Sequence, residues 1–351
     1  NRLLLASFVV AVGIVVVPVL LSWYFRGWVA KYDSPVYTFD HIPDQTGKVA
    51  IVTGSNTGIG KVTVRELARK GARVILTSRS IAKGEQAKKD ICAAIAPSPC
   101  NVDVKQLDLS SLANVEAFAN DFKASSPGGV PQLDILVLNA GVMMCPYTET
   151  EDGVEMQFGT NHLGHFHLVQ ELLPALEESH ARVVTVSSNA HEMGYSGGIR
   201  FNQLTSSEGY SIDGAYGQSK FANILFSNEL AHRAQAAGTG LTANAVHPGF
   251  INTDLGRHLE DGISSTGAYL APVLGLAHKW VFSAAMETDS GALTQLYVAT
   301  APELKGVTGK YFQPIAKLAT PLSLTNDRAL QQKLWAVSED LVSASKQRRN
   351  A

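Results

Sequence analysis

The sequence predicts an α/β protein: a doubly wound parallel sheet of the Rossmann type, preceded by an apolar transmembrane helix. Three observations predict it. Apolar runs of strand length alternate with longer helical segments between residues 48 and 246, and a strand buried on both faces reads as such a continuous run. The first run leads directly into a glycine-rich turn that opens a helix, the arrangement of a βαβ unit. At 351 residues and 45% hydrophobic, the chain is long and apolar enough for one large domain plus an added segment.

The added segment comes first. From Leu3 to Phe25 no side chain is charged, and at about 1.5 Å per residue a helix of that length crosses a bilayer's hydrocarbon core. Residues 1–30 therefore read as a transmembrane anchor that contacts membrane lipid through residues 3–25. Trp23, Tyr24 and Trp28 fall where an interfacial aromatic belt would sit, and Gly13 and Pro18 are tolerated in such helices. A cleaved signal peptide or a buried core helix are the alternatives, but the run is long for a signal and lacks a small-residue cleavage site. Arg2 on one side and Arg26 and Lys31 on the other slightly favour a cytosolic catalytic domain. Residues 31–46 read as a linker and residues 47–346 as the main domain.

Within that domain the elements follow in order. KVAIVT (48–53) is a strand, 59–70 a helix, RVILT (73–77) a strand and 80–95 a helix. VKQLDL (104–109), the helix 112–124, LDILVL (133–138) and a long helix 151–176 come next. RVVTVS (182–187), the helix 215–236 and LTANAV (241–246) complete the series. A net charge of −2 shows no basic excess, so nucleic acid is not expected as a partner. Cys92, Cys100 and Cys145 form no CxxC pair and are odd in number, which indicates neither a disulfide framework nor a zinc site and fits a reduced compartment.

Thr53-Gly54-Ser55-Asn56-Thr57-Gly58-Ile59-Gly60 lies between the first strand and its helix. Glycines let the backbone turn tightly and approach a phosphate, while the helix N-terminus offers free N–H groups and a positive dipole end. Dinucleotide binding is the reading this position favours over a structural turn. Tyr216 and Lys220, at i and i+4, share one helix face, which is either chemistry or surface when read alone.

The spacing TGxxxGxG resembles that of the short-chain dehydrogenase/reductase family, and the family's other marks follow in order. They are Asn139-Ala140-Gly141, Asn161, Ser187-Ser188, the Tyr216 and Lys220 pair, and His247-Pro248-Gly249. The resemblance covers residues 47 to about 340. The phrases NAGVMMCPY, NHLGHF, ARVVTVSSNAH, SKFANILFSNEL, GKYF and LWAVSEDL resemble the membrane-bound retinol dehydrogenase/retinal reductase group.

That resemblance implies a catalytic set of Asn161, Ser188, Tyr216 and Lys220. Hydride transfer between nicotinamide and a carbonyl needs a group that passes a proton to or from oxygen, and tyrosine's reference pKa near 10 makes it a sluggish base. Lys220 would lower that value while holding the nicotinamide ribose, and Ser188 would donate to the substrate oxygen. Asn161 would hold a proton-relaying water; its alternative is a polar helix residue bonding neighbouring backbone. The implied cofactor contacts are Gly54 through Gly60, Arg79, Asp108, Leu109, Asn139, Ala140, Gly141, Tyr216, Lys220, Pro248, Gly249, Ile251 and Thr253.

Ser78-Arg79 ends the second strand with no carboxylate, and an arginine fork suits a 2′-phosphate, so NADP(H) is the expected cofactor. Asp108 reads as an adenine contact or as a turn residue. Asn139 looks structural, and Leu138 stands where the family often has another asparagine. His162, His165 and His167 lack a nearby partner carboxylate or cysteine in sequence, so no metal is expected. His191 reads as a loop contact.

On the substrate side, the long stretch between Ser188 and Tyr216 is expected to form part of the mouth. Residues 267–277 (GAYLAPVLGLA) form a lid, an interfacial segment or a buried helix. The expected function is a membrane-anchored, NADP(H)-dependent oxidoreductase that interconverts a lipophilic alcohol and its aldehyde or ketone. The alternative is an accessory or scaffold subunit of a membrane complex that keeps the fold. A homodimer through the helix bearing Tyr216 is possible on family grounds. The endoplasmic reticulum is the expected membrane, with a mitochondrial or plastid membrane as the alternative.

Overall fold

Alternation along the apolar strands decides the layers. Ile51, Leu136, Val183 and Ala243 turn to one side of the sheet, and Ala50, Val52, Val137, Val184 and Val246 turn to the other, because successive Cβ atoms of a strand point to opposite faces. Both sides are apolar, so both must be covered. A computed structural model describes residues 37–124, 129–251 and 286–351 and shows how.

The elements are β1 (Val49–Val52), α1 (Gly58–Arg69), β2 (Arg73–Ser78), α2 (Ile81–Ile95), β3 (Val102–Gln106), α3 (Leu112–Ala124) and β4 (Ile135–Leu138). They continue as α4 (Gly164–Glu178), β5 (Arg182–Val186), α5 (Ile212–Ala237), β6 (Thr242–Val246), α6 (Thr288–Thr300), β7 (Tyr311–Gln313), β8 (Lys317–Ala319) and α7 (Arg328–Asn350). The eight strands lie in the order β3-β2-β1-β4-β5-β6-β7-β8, parallel except for the final β7–β8 pair. The chain reverses its direction of travel between β1 and β4, which places the switch-point crevice at their carboxyl ends. Helices α1, α2 and α6 pack on one face, and α3, α4, α5 and α7 on the other. The doubly wound, Rossmann-type fold is therefore as expected from the sequence.

Several expected boundaries move. The third strand runs over 102–106 rather than 104–109, because it pairs with β2 from Val74↔Val102 to Ser78↔Gln106. Charged Asp103 is tolerated on this edge strand and receives Arg73 at 2.8 Å. The helix expected from residue 151 begins at Met156, where the Glu155 carboxylate accepts from the N–H groups of Gln157 and Phe158. A π-helical turn, Gly159–Leu163, then leads into α4.

Residues read as linker include a docked stretch: Tyr37, Ile42 and Gln45 are buried, and the Tyr37 ring meets the edge of Tyr297 at 5.0 Å. Cys92 and Cys100 are joined by a disulfide with Cα atoms 5.3 Å apart, contrary to the expectation that none is indicated. The chain leaves α2 at Ile95 and folds back toward β3, which brings together two cysteines that spacing alone did not pair.

The C-terminal helix α7 covers α4 and α5. The Trp335 indole meets the edge of Phe166 at 5.0 Å and stacks on Phe226 at 5.9 Å, with the Arg233 guanidinium 4.2 Å from its ring centre. Ion pairs from Arg328 to Glu229 and from Arg349 to Glu116 pin its two ends. Nearly every residue of α5 from Gly214 to Leu230 is buried within the single chain. A homodimer through this helix, possible on family grounds, meets a face already occupied by α7.

Among the described residues no helix is long and apolar enough to cross a membrane. The expected anchor (residues 3–25), the expected lid (267–277) and Thr253 lie outside the described residues.

Candidate active site

At the carboxyl ends of β1, β2, β4, β5 and β6 lies a cleft of about 570 Å³. Its phosphate end is built by the turn after β1. Gly54 adopts φ +59°, a left-handed conformation that favours glycine, and a Cβ there would lie 2.7 Å from the Ala140 Cβ. A Cβ on Gly60 would lie 2.5 Å from the Asn139 amide nitrogen, so this glycine lets α1 approach the β4 turn. The amino end of α1 then faces the cleft through Thr57, Gly58, Ile59 and Gly60, where helix N–H groups and dipole attract an anion.

Asn139 ties the two turns together: its amide donates to the Thr53 carbonyl at 2.9 Å and its N–H to the Thr53 hydroxyl at 2.9 Å. Gly54, Asn56, Arg79, Asp108, Leu109, Ala140, Gly141, Pro248, Gly249 and Ile251 also line the cleft. Asp108 does so while its carboxylate accepts from both the N–H and the hydroxyl of Ser110, which braces the turn after β3.

Ser55 is an exception. It is fully buried, its hydroxyl donates to the Val52 carbonyl at 2.7 Å and its N–H to Thr77 at 2.9 Å. It braces β1 against β2 and does not line the cleft.

Lys83, absent from the expected set, lines the same end as Arg79. Its position four residues after Arg79, in the first turn of α2, was the available signal. Neither cation forms an ion pair among the described residues. Glycine backbone, a helix N-terminus and two unpaired cations make a donor set that fits a phosphate-bearing dinucleotide.

At the other end Ser188, Tyr216 and Lys220 meet. Ser211 caps α5 through its hydroxyl, and the two residues a turn apart present both side chains to the cleft. The Tyr216 hydroxyl is hydrogen-bonded to Ser188. The neighbouring Ser187 hydroxyl instead donates to the Lys220 carbonyl at 2.7 Å, which leaves Ser188 as the serine facing the tyrosine. The Lys220 ammonium donates to the Val186 carbonyl at 3.2 Å and lies 5.6 Å from the Tyr216 ring centre.

Burial outweighs the lowering of the Tyr216 pKa expected from Lys220. Burial pushes the phenol up to about 12, with the Ser188 hydrogen bond opposing it, and burial pushes Lys220 down to about 8. Desolvation penalises both charged forms, and the ammonium points to a backbone carbonyl rather than to the hydroxyl.

Asn161 does not line the cleft; it stands fully buried behind Gly141. Its side chain accepts from the Val142 N–H at 2.7 Å and donates to the Val142 carbonyl and to Ser219 at 2.9 Å each. A Cβ added to Gly141 would lie 3.1 Å from the Asn161 oxygen and 3.5 Å from the Lys220 nitrogen, so both groups flank that glycine.

The three histidines go separate ways. His162 reaches Ser338 at 2.9 Å, and His165 bonds Thr53 and the Asn161 carbonyl. His167 reaches Glu116 at 3.0 Å, so a carboxylate does stand beside it, contrary to the sequence reading. Glu116, His167 and Glu171 bring their ligand atoms within 4.8 Å of one another. The Lys346 ammonium already stands 3.4 Å from Glu116 and 3.3 Å from Glu171. His191 is a loop contact: its ring donates to the Ser188 carbonyl at 2.7 Å and accepts from the Leu322 N–H at 3.1 Å.

A dinucleotide cleft at a switch point with a serine, tyrosine and lysine at its inner end defines an oxidoreductase of the nicotinamide-dependent class. The family model for short chain dehydrogenase matches residues 48–263, and the chain belongs to that family. It is 44% identical over 297 residues to retinol dehydrogenase 12 of Mus musculus, covering 84% of this chain and 86% of the relative. It is 40% identical over 310 residues to the short-chain dehydrogenase TIC 32 B, chloroplastic, of Brassica napus, covering 87% and 91%. A crystal structure of an uncharacterised protein from Mycobacterium paratuberculosis superposes with a TM-score of 0.67 at 34% identity, covering 88% of this chain and 98% of that one.

Proposed function

We propose that the protein is an NADP(H)-dependent reductase of a lipophilic aldehyde, retinal-like in kind, anchored to a membrane through residues 3–25. The single observation that carries this reading is that Ser188, Tyr216 and Lys220 meet at the inner end of the dinucleotide cleft, where burial holds the Tyr216 proton in place. A retained proton suits donation to a carbonyl oxygen. Bound NADPH supplies the hydride. Ser188 and the Tyr216 hydroxyl hold the carbonyl oxygen, Tyr216 gives it a proton as the alcohol forms, and the Lys220 charge stabilises the phenolate left behind. Asn161, behind Gly141, supports the backbone at Val142 and a water path to Lys220. The apolar substrate class rests on similarity to retinol dehydrogenases. Thr253 is proposed as a further cofactor contact by family resemblance.

Arg79 and Lys83 support NADP(H) over NAD(H) as the cofactor. Charge-assisted hydrogen bonds of this kind contribute about 1.5–3 kcal/mol each. Arg79→Gln is therefore expected to raise the NADPH dissociation constant about tenfold to a hundredfold with little change for NADH, as fluorescence titration will read. Equal weakening of both cofactors would remove the phosphate role. Release of the protein from membranes on removal of residues 1–30 tests the anchor.

The pH dependence has a definite sign. Lys220 loses its charge as pH rises through about 8, whereas Tyr216 keeps its proton. The kcat/KM for reduction should be level on the acid side of that point and fall on the alkaline side. The residual activity of Lys220→Arg should lack the fall, since a guanidinium stays charged. An unchanged alkaline fall in that variant would assign it elsewhere.

A further inference from the structure

Asn161 sits in a π-helical turn, and such turns are rare overall and frequent at functional sites. One side chain reaches across it. The fully buried His165 ring contacts the Asn161 carbonyl through Nδ1 at 2.9 Å and the Thr53 hydroxyl through Nε2 at 2.8 Å. The proton positions follow from the partners. A carbonyl only accepts, so Nδ1 carries the hydrogen and Nε2 is the acceptor. The Thr53 oxygen accepts from the N–H groups of Asn139 and Ala140, both at 2.9 Å, and gives its own hydrogen to His165 at 2.8 Å in preference to the Val137 carbonyl at 3.4 Å. Every polar atom in this buried chain is thereby satisfied, with one direction of donation throughout.

We infer that His165 is a positioning residue with two separable arms. The Nδ1 arm holds the Asn161 carbonyl, and so the Asn161–Val142 pair that flanks Lys220. The Nε2 arm orients Thr53, which aligns the Asn139-Ala140 backbone against the glycine-rich cofactor turn. The ring joins the two halves of the cleft: the end of β1 on the cofactor side and the π turn on the proton-transfer side. Its deep burial keeps it neutral, which this pattern of one donor and one acceptor requires. Among the described residues, Lys220, whose charge also disfavours an imidazolium, and the buried His162 are the other titratable groups beside it.

The inference rests on the proposed roles of Asn161 and Lys220 for its first arm, but its second arm is read by cofactor binding alone. The amide of asparagine reproduces the Nδ1 donor but is too short for Thr53, and that of glutamine reaches toward Nε2 without serving Nδ1. The experiment measures three quantities for wild type, His165→Asn, His165→Gln and His165→Leu. They are NADPH affinity by fluorescence, kcat and KM with all-trans-retinal, and the alkaline limb of the pH profile.

The expected result is a split. His165→Asn weakens NADPH several-fold and keeps kcat within about threefold, following the few-fold cost of one hydrogen bond. His165→Gln keeps NADPH affinity, loses at least tenfold in kcat and shifts the alkaline limb. His165→Leu shows both losses. If all three variants leave every quantity within twofold, or if kcat and NADPH affinity fall together in proportion to a lowered melting temperature, the inference is overturned. Wild type that binds NADPH but turns over no retinal would instead count against the proposed substrate, and the His165→Asn effect on NADPH would still decide the second arm.

Discussion

Replacing Tyr216 with phenylalanine is expected to cut aldehyde reduction by about 10²–10⁴-fold while leaving NADPH affinity and melting temperature near their wild-type values. That range is what removal of a positioned proton donor costs. The ring itself is 5% exposed and packs in place, so the variant keeps its volume and loses only the hydroxyl that bonds Ser188. The loss should fall on kcat more than on KM, because the proton is needed in the transition state and not for binding. Assays of NADPH oxidation with retinal check this. Equal turnover by both proteins would remove Tyr216 from the chemistry.

Trp335→Ala should be the most damaging single change far from the cleft. The indole is 4% exposed and wedged between Phe166 of α4 and Phe226 of α5, with Arg233 over its face. Truncating a buried aromatic of this kind costs about 3–5 kcal/mol through lost transfer free energy and the cavity left behind. A chain of this size should then melt on the order of 10 °C lower. Because α7 also seals α5, which carries Tyr216 and Lys220, loosened packing should expose an apolar helix face and favour self-association at concentrations where wild type stays monodisperse. Thermal melts and light scattering read both effects. A shift of only a degree or two would show that α7 is an accessory rather than a wall of the core.

What was legible in the sequence was what is local. The glycine turn, Asn139-Ala140-Gly141 and the Tyr216–Lys220 spacing each encode their geometry within a few residues, and all of these but Ser55 line the cleft. Apolar strands buried on both faces announced the layer order. What failed to show was set by packing between distant segments. Ser55 turns inward because β2 supplies its partner Thr77. Burial, invisible in a list of neighbours, outweighs the lowering expected at Tyr216. The Cys92–Cys100 disulfide depends on a fold-back after α2, and the Glu116–His167 contact joins α3 to α4. The final strands and α7 lacked continuous apolar runs. A C-terminal helix that closes over α4 and α5 is specified by side chains scattered along all three helices.

The central claim is that the cleft delivers hydride to a lipophilic aldehyde while the Tyr216–Lys220 pair supplies the proton. Its most direct test is single-turnover reduction of all-trans-retinal by NADPH deuterated at the reactive nicotinamide carbon, with mass analysis of the alcohol. The account predicts one deuterium per retinol in wild type and no labelled alcohol with Tyr216→Phe under the same conditions. Consumption of NADPH without deuterium in the alcohol, or equal labelling by both proteins, would contradict it.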